Sequence, residues 1–360
     1  MVLLNHYLDM LPTSSPLKPC CGGLLWLCLA LASCAKPEQR QAQPSFYHWQ
    51  TRLELGAGAR ALTDSLGCQR LYAKFFDVDW DEEYGNAVPL AEIQLVPGSY
   101  TGLELVPAVF ITNRTLERLP AAERALVAQR IRDKLFSLAR QDPALRFGEV
   151  QLDCDWTQGT REAYFELLRQ VRALLEAEGI RLSATIRLHQ VRHFEQTGVP
   201  PVERGILMFY NIGDLEDWEE PNSILNLDKA EPYLQGFERY PLPLGLALPL
   251  FRWGVLFRDG RMIRLLNNLD AARLEGDARF RPLEPGRYEI AQGTFLDGHY
   301  LYAGDRLRLE KVDLPLLQKA ASRLSRLPWP TDLELVFYHL DSLAAADFPA
   351  EALREIVRGF

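Results

Sequence analysis

Residues 147–157 read FGEVQLDCDWT, and two kinds of side chain alternate along this stretch. Successive side chains of a strand point to opposite faces, so the pattern predicts a strand with one apolar face and one acidic face. In a parallel barrel, the apolar face packs against helices, and acids at the carboxyl end of the strand point into the mouth. The apolar set is Val150, Leu152, Cys154 and Trp156, and the polar set is Gln151, Asp153, Asp155 and Thr157.

The remainder of the chain predicts seven more strands, and helical periodicity separates most of them. Strands alternating with helices in this number favour the α/β class and a (β/α)8 barrel of the TIM type over residues 45–360. The barrel is expected to be irregular, because no clear helix follows the second or the fifth strand. The further strands are predicted at residues 46–49, 70–80, 105–113, 181–190, 205–213, 242–257 and 333–340. The helices are predicted at residues 53–66, 115–140, 161–178, 228–237, 314–326 and 348–358.

Residues 267–312 differ in composition from the predicted barrel, being charged and punctuated by glycine. They predict a small β-rich insertion between the seventh and eighth strands. The whole chain has 360 residues and a formal net charge of −8. This acidic balance argues against a nucleic-acid partner, since nucleic-acid binders carry a basic patch or stripe.

The N-terminus has the features of an export signal. Lys18 precedes a short apolar run at residues 22–32, which ends in Leu-Ala-Ser before Cys34. The run is shorter than the roughly 20 residues that a membrane span needs. Residues 1–33 therefore predict a signal peptide, whose true start is Met1 or Met10.

The segment Leu-Ala-Ser-Cys also resembles the lipobox of bacterial lipoproteins. This resemblance implies cleavage before Cys34, a diacylglyceryl group on its sulfur, and acylation of the new amino terminus, with palmitate as the expected acyl group. Residues 34–44 are then the acylated cysteine and a flexible tether. The protein is expected in the cell envelope, lipid-anchored to a bacterial membrane, which is the outer membrane in a Gram-negative cell. A plain secretory signal is the alternative.

Two cysteines, Cys68 and Cys154, lie in the body of the chain. An exported protein could bridge them, but two separately buried thiols are favoured. No Cys-x-x-Cys or zinc-finger spacing occurs, so neither a metal nor any other cofactor is expected.

Polar and aromatic residues collect at the predicted carboxyl ends of the strands. Carboxylates can protonate or stabilise a reacting sugar, and aromatic rings stack on its apolar faces, so the group favours a carbohydrate site. The predicted catalytic candidates are Asp79, Asp153, Asp155 and Tyr210. The predicted substrate-binding residues are Asp77, Arg187, His189, Asn211, Trp253 and His339.

The DCDWT of the central strand resembles the D-x-D-x-E signature of family 18 glycoside hydrolases, the chitinase-like barrels. Residues 208–211, MFYN, are similar to that family's M-x-Y-D, and residues 244–253 resemble its seventh strand. The resemblance implies a TIM barrel and a partner glycan that contains N-acetylhexosamine. It implies that Asp155 orients the substrate's acetamido group, and that Tyr210 helps to hold this group as it attacks the anomeric carbon.

Two positions depart from the family pattern. Thr157 stands where the family has its general-acid glutamate, and Asn211 stands where it usually has aspartate. A threonine hydroxyl cannot protonate a leaving oxygen near neutral pH. Either another acid, such as Asp79 or Asp341, has taken over, or the pocket binds glycans without cleaving them. We therefore expect a membrane-anchored glycan-interacting protein in which hydrolysis is altered or lost.

Two other functions remain open from the sequence. One is a non-enzymatic surface lipoprotein that uses the barrel as a binding or assembly scaffold. The other is a metal-dependent polysaccharide deacetylase, which the spacing of His189 and His193 after Asp153 and Asp155 resembles. His189 is expected to end a strand, and the glycine and prolines at 198–201 oppose a long helix, so this function is the less favoured.

Overall fold

Eight parallel strands close into a ring in the computed structural model, which describes residues 41–360. Each strand pairs with the next along the chain, and the first strand pairs with both the second and the last. The predicted TIM-type barrel is therefore confirmed. The strands are β1 (Gln43–His48), β2 (Arg70–Asp81), β3 (Glu104–Ile111), β4 (Glu149–Asp153), β5 (Arg181–Arg187), β6 (Arg204–Met208), β7 (Leu244–Pro249) and β8 (Glu334–Tyr338).

Helices follow most of the strands, and the barrel is irregular at the two places where the sequence shows no clear helix. An antiparallel strand, Asn86–Leu90, follows β2 and pairs with it outside the ring. Only two short helices follow β5, Leu188–Arg192 and Phe194–Thr197. The other α-helices are Ala57–Leu66, Asn113–Arg118, Arg124–Ala139, Arg161–Glu176, Leu227–Leu234, Leu314–Leu324, Ser342–Asp347 and Ala350–Arg358.

The helix predicted at 115–140 is in fact two helices. The first ends at Arg118 and the second begins at Arg124. Pro120 lies between them, and a proline has no N–H to donate and pushes the residue before it out of the helical region. Leu119 accordingly has extended backbone, with φ −68° and ψ 113°.

The alternation along β4 places its apolar side chains in the core and against the following helix, as predicted. Val150, Leu152 and Cys154 are buried, and Trp156 stacks on Tyr164 of the following helix with ring centroids 5.3 Å apart. The opposite face of the strand points into the barrel, where its side chains meet polar groups of other strands. The carboxylates that end the strand are thereby directed to the mouth.

A buried ion network closes the amino-terminal end of the barrel. Glu149, which is fully buried, accepts hydrogen bonds from Arg204 at 2.8 and 3.0 Å. Arg204 also contacts Glu334 at 3.2 Å, and Arg70 joins Glu334 at 3.1 Å and Glu104 at 3.0 Å. Each buried charge thus has an opposite partner, as burial requires.

The seventh strand is shorter than the predicted 242–257, because the chain leaves the ring at Pro249. The second half of that stretch, Arg252–Arg258, belongs to a separate antiparallel sheet of five strands. This insertion sheet therefore begins before residue 267. Its other strands are Arg261–Asn267, Phe280–Glu284, Arg287–Ile290 and Arg306–Lys311, and the hairpin Thr294–Leu296 with His299–Leu301 lies beside them in sequence. The pair Arg52–Leu53 with Gln94–Leu95 completes the strands.

Cys68 and Cys154 are both buried and both free, as favoured from the sequence. Within residues 41–360, no helix is long and apolar enough to span a membrane. The predicted signal peptide and Cys34 lie outside the described residues, and so does most of the tether.

Candidate functional site

A cavity of about 550 Å³ opens at the carboxyl ends of the barrel strands. It gathers side chains from β2, β4 and β5, from the segments that follow β6 and β8, and from the insertion sheet. The convergence predicted from the strand ends is therefore present for eight of the sequence-predicted residues, which line the cavity: Asp77, Asp153, Asp155, Arg187, Tyr210, Asn211, Trp253 and His339.

Three other predicted acids or bases do not line the cavity. Asp79 accepts a hydrogen bond from Thr112 at 2.7 Å and pairs with Arg114. His189 is exposed and lies in the helix Leu188–Arg192, so the prediction that it ends a strand is wrong. Asp341 caps the helix Ser342–Asp347, where its carboxylate accepts the Ala344 N–H at 2.7 Å. A strand-end position in the sequence was not sufficient, because Asp79 and Asp341 are engaged by neighbouring groups and His189 is exposed on a helix.

Asp153 lies on the floor of the cavity and is 8% exposed. The Thr185 hydroxyl of the neighbouring strand donates to its Oδ1 at 2.6 Å. Burial, together with the negative charge of Asp155, raises the pKa of Asp153 to about 6. This carboxyl therefore exchanges its proton near neutral pH, as a group that acts on or binds a polar ligand can do.

Asp155 lies at the rim of the cavity, and its carboxylate forms an ion pair with Arg187. The guanidinium Nη2 donates to Asp155 Oδ2 at 3.0 Å, and Nε donates to Oδ1, so the pair is bidentate. The backbone oxygen of Asp155 accepts the Asn113 side-chain amide at 2.6 Å. The carboxylate is thus held in one orientation and its charge is balanced.

Aromatic rings form one wall of the cavity. Tyr210 and Tyr338 are stacked at 5.1 Å, and Phe251 meets Tyr338 edge-on at 5.5 Å. Trp49 lies 5.9 Å from Tyr338 and continues the wall. The Tyr210 hydroxyl donates to Met208 Sδ at 2.9 Å. The wall presents ring surface of the kind that binds the apolar faces of a sugar.

Trp253 reaches the cavity from the insertion sheet, not from the seventh barrel strand as predicted. Its indole N–H donates to Glu310 at 2.8 Å. The same buried carboxylate accepts the Ser223 N–H at 2.9 Å and pairs with Arg308. Glu310 therefore joins the insertion, the loop after β6 and one ring of the cavity.

Sequence reasoning missed several lining residues, of which Lys74 is the most instructive. Lys74 is buried and donates to Asp77 at 3.0 Å. A bulge between Lys74 and Phe76 places two residues three apart on one inner face, so a period of two hides their relation. Tyr338 and Phe251 adjoin predicted residues, but only the packing of the wall selects them.

Two asparagines of the rim have left-handed backbone, Asn211 with φ 55° and Asn268 with φ 58°. Asparagine tolerates this region better than most side chains do, but it is still sparsely populated. Such conformations concentrate at functional sites. The Asn211 N–H donates to the Ile224 oxygen at 2.7 Å, which holds that turn in place.

His339 is neutral in character. Burial lowers its pKa, and the nearby Asp341 carboxylate opposes this effect at an Nε2–Oδ2 separation of 3.5 Å. Its Nδ1 is buried without a hydrogen-bond partner.

Thr157 lies away from the cavity lining. Its Oγ1 is 3.3 Å from the Thr160 hydroxyl, and its N–H donates to that hydroxyl at 2.9 Å. It is thus part of a turn that leads into the helix Arg161–Glu176.

The described part of the chain contains no group of three or more His, Cys, Asp or Glu residues arranged to hold a metal ion. His193 caps a short helix and packs edge-on against Tyr233, with ring centroids 6.3 Å apart. The deacetylase alternative therefore lacks a ligand set among residues 41–360.

Solved structures share this fold. The spore cortex-lytic enzyme SleL of Bacillus megaterium has a TM-score of 0.53 at 13% identity, over 90% of this chain and 75% of that chain. The C-terminal domain of a putative chitinase from Desulfitobacterium hafniense has a TM-score of 0.51 at 10% identity, over 89% and 99%. Catalytic domain 2 of the Group II chitinase of Ostrinia furnacalis has a TM-score of 0.50 at 11% identity, over 90% and 97%.

No protein-family model and no curated protein sequence matches the chain. At such low identity, the structural likeness establishes the fold and leaves activity open. The expected architecture, a divergent chitinase-like TIM barrel, is confirmed.

Proposed function

We propose that the cavity binds a glycan and that hydrolysis by the family 18 route is altered or lost. This proposal rests on two positions of the family motif: the general-acid position holds no acid, and the carboxylate of Asp155 is already paired. Position 157 offers a hydroxyl already engaged with Thr160, and Asp155 is engaged with Arg187. Without a carboxylic acid at position 157, the leaving oxygen has no proton donor from the family's own position.

The composition of the cavity supports a sugar as its ligand. Tyr210, Tyr338 and Phe251 provide ring surface, while Asn211 and Asn268 provide amides at the rim. Most of the other lining residues are polar or charged, and such groups can hydrogen-bond the hydroxyls of a sugar. The fold shared with chitinase-like proteins is consistent with this ligand class.

Binding and cleavage should be assayed separately on the purified barrel. The probes are polymers and oligomers that contain N-acetylglucosamine, with binding measured by calorimetry and cleavage by the release of new reducing ends. We expect binding without reducing ends. Steady release of reducing ends would overturn the loss of hydrolysis, and absence of binding to every probe would remove this glycan class.

We also propose that the barrel is lipid-anchored through Cys34 to a bacterial membrane, the outer membrane in a Gram-negative host. The lipobox-like Leu-Ala-Ser-Cys supports this proposal. The full chain should incorporate labelled palmitate and enter the membrane fraction. Cys34→Ser should abolish both, and Cys28→Ser, in the apolar run, should abolish neither. Retained labelling in Cys34→Ser would rule out the anchor.

A further inference from the structure

Most charged side chains of the cavity lining form ion pairs, and one carboxylate does not. Lys74 is paired with Asp77 at 3.0 Å, and Arg187 is paired with Asp155. Arg252 also lines the cavity, but its guanidinium is taken by two carboxylates outside the lining, Asp270 and Asp347. The three cations of the lining are therefore all engaged with carboxylates other than Asp153.

Asp153 is the carboxylate that remains without an ion pair. Within residues 41–360 it forms no salt bridge, and its Oδ2 accepts no hydrogen bond, while Oδ1 accepts only the Thr185 hydroxyl. A carboxylate buried with one neutral donor is poorly compensated, because ionised groups in a protein interior need charged or multiple polar partners. The floor of the cavity thus carries a carboxylate to which no cation of residues 41–360 is hydrogen-bonded or ion-paired, and Arg187, already paired with Asp155, acts on it only at a distance.

We infer that the cavity prefers a glycan bearing a free, protonated amine, such as a glucosamine unit, and that Asp153 Oδ2 accepts the ammonium group. This inference rests on the proposed glycan binding and names the sugar class within it. The ammonium would supply the missing charge and a hydrogen bond together. Hydrogen bonds between charged partners are roughly twice as strong as neutral ones.

The N-acetylated form of the same sugar cannot do this. Its amide N–H is a neutral donor, and its acetyl group adds bulk at the floor beside Asp153. A neutral glucose unit offers a hydroxyl, which also leaves the carboxylate charge unbalanced. Selectivity therefore comes from the penalty that Asp153 suffers with the wrong sugar.

The titration of Asp153 depends on all the groups that face it. Burial and the negative charges of Asp155 and Asp77 raise its pKa, Arg187 and the Thr185 hydroxyl lower it, and the net result is a pKa of about 6. Burial raises the pKa of the groups around it, and the negative charge of Asp153 adds to this effect, so these groups stay neutral. At pH 7 the carboxylate is therefore ionised and ready to accept an ammonium. The neutral neighbours are Tyr47, Cys154, Tyr210 and Tyr338.

The test is calorimetric titration with three tetramers of the same linkage, built from glucosamine, N-acetylglucosamine and glucose, at pH 7 and physiological salt. We expect the glucosamine tetramer to bind at least about tenfold more tightly than the others, the gain of one charge-assisted contact. Asp153→Asn should bring the three affinities to within about threefold of each other. Asp64→Asn, an exposed acid on an outer helix, controls for the negative charge of the whole protein and should keep the preference.

A pH series on the unmodified protein tests the same point without a variant. The protonation of the tetramer's own amines is titrated separately, so that the affinity of its protonated form can be compared between pH 7 and pH 5. This affinity should fall about tenfold as Asp153 takes up its proton, and the affinity for the glucose tetramer should not fall. Equal affinity for all three tetramers at pH 7, or a preference that survives in Asp153→Asn, would overturn the inference and leave glycan binding standing. If none of the three tetramers binds, the proposed function is overturned as well.

Discussion

Arg187 and Asp155 form a two-point ion pair at the mouth of the barrel, with Nη2 donating to Oδ2 at 3.0 Å and Nε donating to Oδ1. The pair joins the end of β5 to the segment after β4. The guanidinium holds the carboxylate of Asp155 in one orientation.

The two halves of this pair should contribute unequally to stability. Asp155→Ala leaves the mostly buried Arg187 without its partner, and we expect unfolding to become easier by about 1–3 kcal/mol. Arg187→Met leaves a carboxylate that is 49% exposed and can be hydrated, so the loss should stay below about 1 kcal/mol. Urea unfolding of both variants measures the difference. Equal losses would contradict the asymmetry.

Asp153 should make stability depend on pH. The folded-state pKa is raised from 3.8 to about 6, so the folded protein holds this proton more tightly than the unfolded chain does. Its stabilising effect is fully present below pH 3.8 and is lost as pH rises through 6. Asp153→Asn should therefore gain up to about 3 kcal/mol on the unmodified protein between pH 4 and pH 7. Urea unfolding at each pH measures it, and parallel curves would disprove it.

The ion network at the amino-terminal end should be essential to folding and irrelevant to binding. Glu149→Ala leaves Arg204 buried with only Glu334 nearby, and we expect a loss of about 3–5 kcal/mol. Glu104→Ala removes a carboxylate that is 37% exposed and should cost less than about 1 kcal/mol. Chemical unfolding ranks the two variants. A change in glycan affinity of the folded Glu104→Ala protein would contradict the separation of the two ends.

The aromatic wall should account for a measurable share of glycan affinity. Tyr338→Ala removes the ring that contacts Tyr210, Phe251 and Trp49, and we expect binding to weaken by about 1–2 kcal/mol. Tyr338→Phe keeps the ring and should bind nearly as the unmodified protein does. Tyr302→Ala, an exposed ring on the insertion, should change nothing. Calorimetry with an N-acetylglucosamine oligomer compares them, and an unaffected Tyr338→Ala would remove the wall from the site.

The barrel and much of its mouth could be predicted from local pattern. The alternation from Val150 to Trp156 is a period of two, which sets one face against helices and one into the barrel. This alternation holds wherever one face of a strand is buried, so Asp153 and Asp155 point into the mouth as predicted. The same alternation along β5 directs Arg187 to the mouth, where it meets Asp155.

Irregular backbone was invisible to the same reasoning. The bulge between Lys74 and Phe76 brings Lys74 onto the face of Asp77, and the exit of the chain at Pro249 moves Trp253 from the barrel to the insertion. His189 has a strand-like neighbourhood in sequence but continues as helix after Arg187. The first two depend on pairing with distant segments, which no local period encodes, and the helix begins with a capping hydrogen bond from the Arg187 N–H to the Gln190 side chain.

The sequence alone therefore determined which side chains point inward, because side-chain direction along a strand is a local property of the backbone. The tertiary structure alone decided which of those side chains neutralise each other. Arg187 pairs with Asp155, Lys74 pairs with Asp77, and Asp153 forms no ion pair within residues 41–360. Charge pairing depends on distances of a few ångströms between separate strands, and these exist only after the ring has closed.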